Sequence, residues 1–365
     1  MSRTDDKLSA IRAAMAEQGV ELCALGPGAH MQWVLDWHPH PDERLTLLAI
    51  GRDSAYFVVP SVNAEQAGAN AGLPLITWRD EDGPEGALRS LAQKIGGVTR
   101  LVLDETMRTD FSLPLMDAFQ GATPVFADRL VGALRMVKDA GELAALKASA
   151  GVADRAMQAG FAAIRPGLTE TQVAQAMRDS FAAEGAAVAF TLCASGPNGA
   201  FPHHSTGDRV LQEGDAIVFD IGAGYGGYPS DITRMAAVGS LPAGYDEVHQ
   251  VVERAWQAAA EAARPGVKAH VVDDAARKVI TDAGYGEYFV HRTGHGLGLE
   301  IHEPPYLTSS SQTVLQEGMV FSIEPGIYIP GRFGIRLEDI VILRADGVEI
   351  LSTLPRDVQV SASEG

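Results

Sequence analysis

The chain has 365 residues, 46% of them hydrophobic and 21% charged, with a formal net charge of -18. That is apolar content enough for two packed domains and too much for a disordered chain, and a surface so acidic repels polyphosphate backbones and anionic membranes, which argues against nucleic acid or lipid partners. Residues 1–7 lack the apolar core of a secretory signal, and no stretch approaches the roughly 20 apolar residues of a membrane span. The two cysteines, Cys23 and Cys193, sit in apolar runs without a CxxC neighbour, so two buried thiols in a cytoplasmic protein are expected.

Residues 5–18 place Leu8, Ile11 and Met15 on one helical face, with Thr4 as cap and Gly19 as stop. Short apolar runs follow at 22–25, 46–50, 56–59, 73–77, 100–103 and 124–126, separated by Gly, Pro and Asp clusters and by a helical stretch near 86–95. This pattern predicts a small α/β domain over residues 1–137. Residues 138–164 are Ala-rich with interspersed charges and predict a long helix opening a second domain, 138–365.

The second domain contains a repeat. Arg165-Pro166-Gly167-Leu168 precedes Val173, Ala176, Arg178 and Gly185; Arg264-Pro265-Gly266-Val267 precedes Val272, Ala275, Arg277 and Gly284 at the same spacings, 99 positions later. Each copy is followed by two strand-like runs, 215–221 and 231–238 in the first, 319–323 and 335–343 in the second. An internally duplicated α+β unit, its copies closing around one shared sheet with a cleft on their pseudo-twofold axis, accounts for this layout.

Each strand pair delivers two carboxylates: Asp220 and Asp231 in the first copy, Glu324 and Glu338 in the second. A single acid of this kind is more often a strand-end or turn residue. Four of them gathered in a buried cleft cannot all stay ionised without added positive charge, because desolvation and mutual repulsion raise their pKa values. Two divalent cations would balance them. His295, in Gly294-His295-Gly296, adds an imidazole nitrogen, and a donor set of mostly oxygen with one nitrogen suits Mn²⁺, Co²⁺ or Zn²⁺.

In their contexts Phe219-Asp220-Ile221-Gly222, Ser230-Asp231-Ile232-Thr233-Arg234, Gly294-His295-Gly296, Ser322-Ile323-Glu324-Pro325-Gly326 and Arg336-Leu337-Glu338-Asp339, these residues resemble the ligand motifs of the pita-bread metallopeptidases, a family of prolidases, Xaa-Pro aminopeptidases and methionine aminopeptidases. The preceding α/β domain resembles the creatinase-like N-terminal domain of the proline-specific members. The resemblance implies two metal ions per subunit, a water activated between them, and Glu324 as proton shuttle as well as ligand. It nominates His203 and His302, themselves 99 residues apart, as groups that meet the scissile carbonyl or the leaving nitrogen. It makes His291 a substrate-pocket residue and Arg336 a residue that orients the acids; His204 is as well explained as a surface residue.

A bond preceding proline has no N–H, so strand-like peptide recognition fails there and an apolar pocket for the ring must take over. In dimers of the family, a loop such as 36–44 can reach the neighbour's site, where Arg44 would clamp a product carboxylate and Asp36 would help hold the amino group; a solvated loop with local ion pairs explains it equally well. The expected activity is therefore hydrolysis of Xaa-Pro dipeptides by a homodimer. The alternatives are an Xaa-Pro aminopeptidase acting on longer peptides, or a non-catalytic peptide-binding member of the fold. A methionine aminopeptidase usually lacks so large an α/β domain, and a two-metal phosphoesterase would need a basic clamp that only Arg234 and Arg336 offer.

Overall fold

The computed structural model describes residues 3–361. Chain contacts divide it into two units, residues 1–135 and 136–365.

The first unit is a six-stranded mixed sheet with helices. It runs α1 (Arg3–Gln18), β1 (Leu22–Leu25), α2 (Ala29–Leu35), β2 (Leu47–Gly51), β3 (Ala55–Pro60), α3 (Ala64–Ala71), β4 (Leu75–Trp78), α4 (Glu85–Ile95), β5 (Arg100–Leu103), α5 (Thr109–Ala118), β6 (Thr123–Phe126) and α6 (Val131–Met136). The strand order is β4-β3-β2-β1-β5-β6, antiparallel where β1, β2 and β3 meet and parallel elsewhere. Central strand β1 is buried at every residue, which is why it reads as a continuous apolar run. In α1, Leu8, Ile11 and Met15 are buried, while Asp5 and Asp6 face the positive end of the helix dipole. Helices α2, α3 and α5 leave weak traces in the sequence: α2 has only seven residues, and α5 carries Pro114 inside it, a residue that normally ends a helix.

The second unit opens with α7 (Ala140–Ala163), started by a reciprocal capping box between Asp139 and Glu142, then α8 (Glu170–Ala183), started by a second one between Thr169 and Gln172. Strands β7 (Ala187–Ser195), β8 (Ala216–Tyr225), β9 (Tyr228–Pro229) and β10 (Ile232–Ala237) follow. Helices α9 (Tyr245–Ala262) and α10 (Ala269–Asp282) then lead to β11 (Gly294–Gly296), β12 (Glu303–Leu307), β13 (Val320–Ile323), β14 (Gly326–Ile329), β15 (Phe333–Arg336), β16 (Asp339–Arg344), β17 (Gly347–Ile350) and β18 (Gln359–Val360).

The repeat read from Arg-Pro-Gly is a repeat of backbone geometry. Helices α7 and α9 end 99 residues apart, and α8 and α10 match at both ends with the same offset. Between them Gly167 (φ 85°) and Gly266 (φ 87°) make the same left-handed turn, a conformation that costs other residues strain. The Gly167 amide donates to the Leu211 carbonyl at 3.1 Å and the Gly266 amide to the Leu315 carbonyl at 2.8 Å; the Leu211 and Leu315 amides return bonds to Leu168 and Val267, both at 2.8 Å. Each half has its own core. Val173, Met177, Phe181, Ile217 and Phe219 fill the first; Val252, Trp256, Val272, Ile280 and Phe321 fill the second. Burying a side chain of this size contributes about 1.5–3 kcal/mol.

The strands do not form the single shared sheet expected. They form two five-stranded sheets, β18-β10-β8-β7 with β9 on β8, and β12-β11-β13-β16-β17, plus the ribbon β14-β15. The run 335–343 is buried throughout but is divided: β15 pairs with β14, then after the buried Leu337 the chain crosses into the second sheet as β16 beside β13. At that crossing the Glu338 amide donates to the Thr233 carbonyl of β10 at 3.3 Å, joining the two sheets.

Candidate metal and catalytic site

The second unit encloses a cavity of about 690 Å³. Its walls carry His203, Asp220, Asp231, His291, His295, His302, Glu324, Arg336 and Glu338, together with Phe190, Pro202, Arg292 and Ile301.

Asp220 interrupts an otherwise buried stretch of β8 and lies opposite Thr233 of β10; Asp231 immediately precedes that return strand. In the second half Glu324 follows β13 directly, its amide donating to the Thr293 carbonyl at 2.8 Å, and Glu338 stands at the crossing from β15 to β16. His295 is the middle residue of β11. A Cβ on Gly294 would lie 1.9 Å from the Ser322 carbonyl oxygen, so only glycine lets β11 come this close to β13.

Ligating atoms converge in three overlapping triads whose members lie within 4.8 Å of one another: Asp220, Asp231 and Glu338; His295, Glu324 and Glu338; Asp231, His295 and His302. His295 Nε2 is 3.3 Å from Glu324 Oε1 and 3.7 Å from Asp231 Oδ2. Its Nδ1 donates to the Gly296 carbonyl at 3.1 Å, which assigns the tautomer that leaves an Nε2 lone pair facing the acids. The His302 ring meets the His295 ring edge to face, centroids 4.1 Å apart.

The electrostatics match a cation site. Burial, and then the charges of Glu338, Asp220 and Glu324, push the Asp231 carboxyl well above its usual range; burial, then Glu324 and Asp220, do the same to Glu338. Burial drives Glu324 up to about 7, with Asp220 adding to the rise. Burial and the neighbouring His302 hold His295 down at about 3, so its imidazole is neutral. Asp220 Oδ1 is buried without a hydrogen-bond partner. Four carboxylates outnumbering the cavity's two guanidinium groups, Arg292 and Arg336, with an orphaned carboxylate oxygen and a neutral imidazole, fit two divalent cations in number and in donor chemistry.

Of the two, Arg336 is the more deeply placed, 4% exposed. It donates to Asp220 Oδ2 at 2.6 Å, to the Thr233 hydroxyl at 3.0 Å and to the Tyr328 hydroxyl at 2.8 Å. Thr233, Tyr328 and Ser322 escape the sequence reading. Thr233 passes its own proton to Glu338 Oε2 at 2.7 Å; its signal was alternation, since it lies on the same strand face as Asp231. Ser322 donates to Glu324 Oε1 at 3.0 Å and accepts from the His295 amide at 2.9 Å. Tyr328 donates to His291 Nε2 at 2.8 Å while His291 Nδ1 donates to the Arg292 carbonyl, and burial with the Arg336 charge lowers His291 to about 4.

His203 and His302, on opposite halves, are both exposed and both line the cavity. His204 turns elsewhere, to Glu170 at 2.9 Å. Asp36 and Arg44 belong to the first unit and are engaged within it. Asp36 accepts from Arg3 at 2.9 Å; Arg44 makes a forked pair with Asp80, both bonds 3.0 Å, and a 3.0 Å bond to Glu43. Among the described residues no helix is long and apolar enough to cross a membrane.

Residues 144–345 match the family described as metallopeptidase family M24, and residues 7–137 match the creatinase/prolidase N-terminal domain. The probable dipeptidase PepE of Mycobacterium tuberculosis is 41% identical over 362 residues, covering 97% of this chain and 96% of that one. The Xaa-Pro dipeptidase of Pyrococcus furiosus is 34% identical over 317 residues, covering 85% and 88%. Among solved structures, dipeptidase PepE from Mycobacterium ulcerans superposes with a TM-score of 0.93 at 38% identity, covering 98% of both chains. The prolidase from Thermococcus sibiricus gives 0.90 at 32% identity, covering 99% of this chain and 100% of that one. The fold is thus the α+β pita-bread catalytic domain preceded by a creatinase-type N-terminal domain.

Proposed function

The chain belongs to metallopeptidase family M24, and from that membership we propose that it hydrolyses the Xaa-Pro bond of short peptides, Xaa-Pro dipeptides above all. The observation that carries this reading is the convergence of Asp220, Asp231, His295, Glu324 and Glu338 on one cavity wall, with His203 and His302 facing them. The relatives named dipeptidase and Xaa-Pro dipeptidase support the substrate class.

The five residues would hold two divalent cations, Mn²⁺, Co²⁺ or Zn²⁺, and the chemistry these supply when bound is Lewis acidity toward the scissile carbonyl and acidification of the attacking water. Everything else is the work of side chains. Glu324 keeps Oε1 oriented by Ser322, leaving Oε2 to take a proton from the water and return it to the proline nitrogen. That nitrogen has no proton of its own in the substrate and must receive one to leave. His203 and His302 donate to the carbonyl oxygen as charge builds there. Arg336 holds Asp220 in place, and Phe190, Pro202 and Ile301 offer the apolar surface for the proline ring.

The same reading includes a homodimer in which the loop bearing Asp36 and Arg44 meets the neighbouring subunit's cavity. There Arg44 would exchange its forked bond to Asp80 for the peptide carboxylate. We also assign the enzyme to the cytoplasm, in keeping with two buried free thiols.

The test is to strip the metal, restore Mn²⁺, Co²⁺ or Zn²⁺ in turn, and compare hydrolysis of Xaa-Pro with Xaa-Pro-Yaa. Faster turnover of the dipeptide is expected. Equal or faster turnover of the tripeptide would replace the dipeptidase by an aminopeptidase, and no turnover of either by the metal-loaded protein would refute the enzyme.

A further inference from the structure

Glu170, the first residue of α8, takes no part in the cavity, yet its side chain is fully buried. It is satisfied by five donors. Oε1 accepts from the Ser195 amide (2.8 Å), the Ser195 hydroxyl (2.8 Å) and Asn198 Nδ2 (3.0 Å); Oε2 accepts from His204 Nε2 (2.9 Å) and the Gly207 amide (3.2 Å). One carboxylate oxygen therefore holds the near end of the segment 195–207 and the other holds its far end. Between the two ends lie Phe201, Pro202 and His203.

The polarity of this clasp is fixed from outside. Arg209 donates to Ser195 Oγ at 2.6 Å, so that hydroxyl must send its own proton to Glu170. The first amides of α8 add two bonds, Glu170 N–H to the Arg209 carbonyl and Thr171 N–H to the Gly207 carbonyl, both 3.0 Å. The segment needs such a tie because it buries little at its tip: Phe201 is 63% exposed, and His203 and Ser205 are exposed as well.

The clasp is not part of the duplicated scaffold. Position 269, equivalent to 170 by the 99-residue offset, is Ala269. The segment carrying His302 is tied differently, by the buried Glu303, which accepts from Lys138 Nζ at 2.8 Å and from the Glu300 amide at 3.3 Å.

We propose that Glu170, with His204 as its partner, is the positioning residue for His203, holding that imidazole toward the cavity without itself touching substrate. The proposal rests on the reading that His203 acts on the substrate. Because a group misplaced by about 1 Å can cost on the order of 100-fold in rate, losing the clasp should lower kcat and leave KM largely alone.

The experiment is a double-mutant cycle on the full Mn²⁺-loaded chain, with hydrolysis of Leu-Pro as readout: parent, His203→Ala, Glu170→Gln and the double variant. Glu170→Gln is expected to lower kcat roughly 10–100-fold with KM changed less than about 3-fold, yet to cost less than about 3-fold in the His203→Ala background, since a residue that acts only through His203 has nothing left to position. An equal factor in both backgrounds would overturn the clasp alone. Full activity of His203→Ala would overturn the role of His203 and the clasp with it. Reduced metal content in Glu170→Gln would also overturn it, because the effect would then run through the ligands. Should Glu170→Gln fail to fold, His204→Ala removes one bond at the rim: about a 3–10-fold loss of kcat, largely restored in His204→Gln, is expected, and an unchanged kcat in His204→Ala would refute the proposal.

Discussion

Replacing Arg336 by Met isolates the part of the site that belongs to the protein and not to its metals. The side chain is 4% exposed, and the substitution removes its bonds to Asp220 Oδ2, Thr233 and Tyr328 while keeping most of its volume. Asp220 would then have neither oxygen paired, since Oδ1 already lacks a partner. Breaking a buried ion pair from one side costs about 3–5 kcal/mol. For a unit of this size that corresponds to a fall of roughly 6–20 °C in Tm. Arg336→Lys keeps the charge but loses the fork, and about 1–2 kcal/mol is expected from the bonds it cannot reach. Urea unfolding of the chelator-treated protein at pH 7 measures both. Saturation with Mn²⁺ should shrink the Met deficit, because added positive charge relieves the same carboxylates. A metal-free Arg336→Met protein within about 1 kcal/mol of the parent would refute the argument that the Arg336 guanidinium supports these acids.

Asp231→Ala removes a group shared by two of the three converging triads and should abolish both turnover and stoichiometric metal binding; plasma emission analysis reading full metal with full activity would contradict the site. Gly294→Ala would set a methyl 1.9 Å from the Ser322 carbonyl oxygen, forcing β11 off β13; at least a 100-fold loss in kcat/KM is expected, and near-parental activity would show the strands are not this close in solution. His291 gives a pH signature. Its pKa of about 4 lies below the usual value near 6.5, so the unfolded chain binds the proton first as pH falls, and stability present above 6.5 is lost progressively down to about 4. The contribution is at most about 3 kcal/mol, and His291→Gln should flatten that part of the unfolding free energy curve between those pH values.

What could be read from the sequence depended on whether the determinant was local. The turn of Gly167 and Gly266 is local, and it announced the duplication because only a left-handed residue after Arg-Pro makes that turn. The acids Asp220 and Glu324 could be found because each ends or interrupts an apolar strand. The crossing at Leu337 leaves no trace in the sequence, since the residues on both sides of it are buried and nothing in their order marks a change of partner strand. Thr233 and Tyr328 were missed for a related reason. Their importance lies in bonds to Glu338, His291 and Arg336, and no spacing rule connects a threonine to a glutamate 105 residues away. Glu170 does not stand out in the sequence, because an acid at the start of a helix is already explained by the helix dipole.

The crossing from β15 to β16 also bears on how product can leave. Within three residues the chain sends Arg336 to Asp220 and the Glu338 side chain to Thr233, so both of these bonds run from the second half of the duplication to the first. Any rocking of one half against the other would break the charge balance of the acids before it widened the cavity by much. The scaffold is therefore unsuited to breathing as two shells, and substrate traffic is left to the exposed rim at Phe201, whose side chain can swing while the Glu170 clasp and the four cavity carboxylates keep their partners.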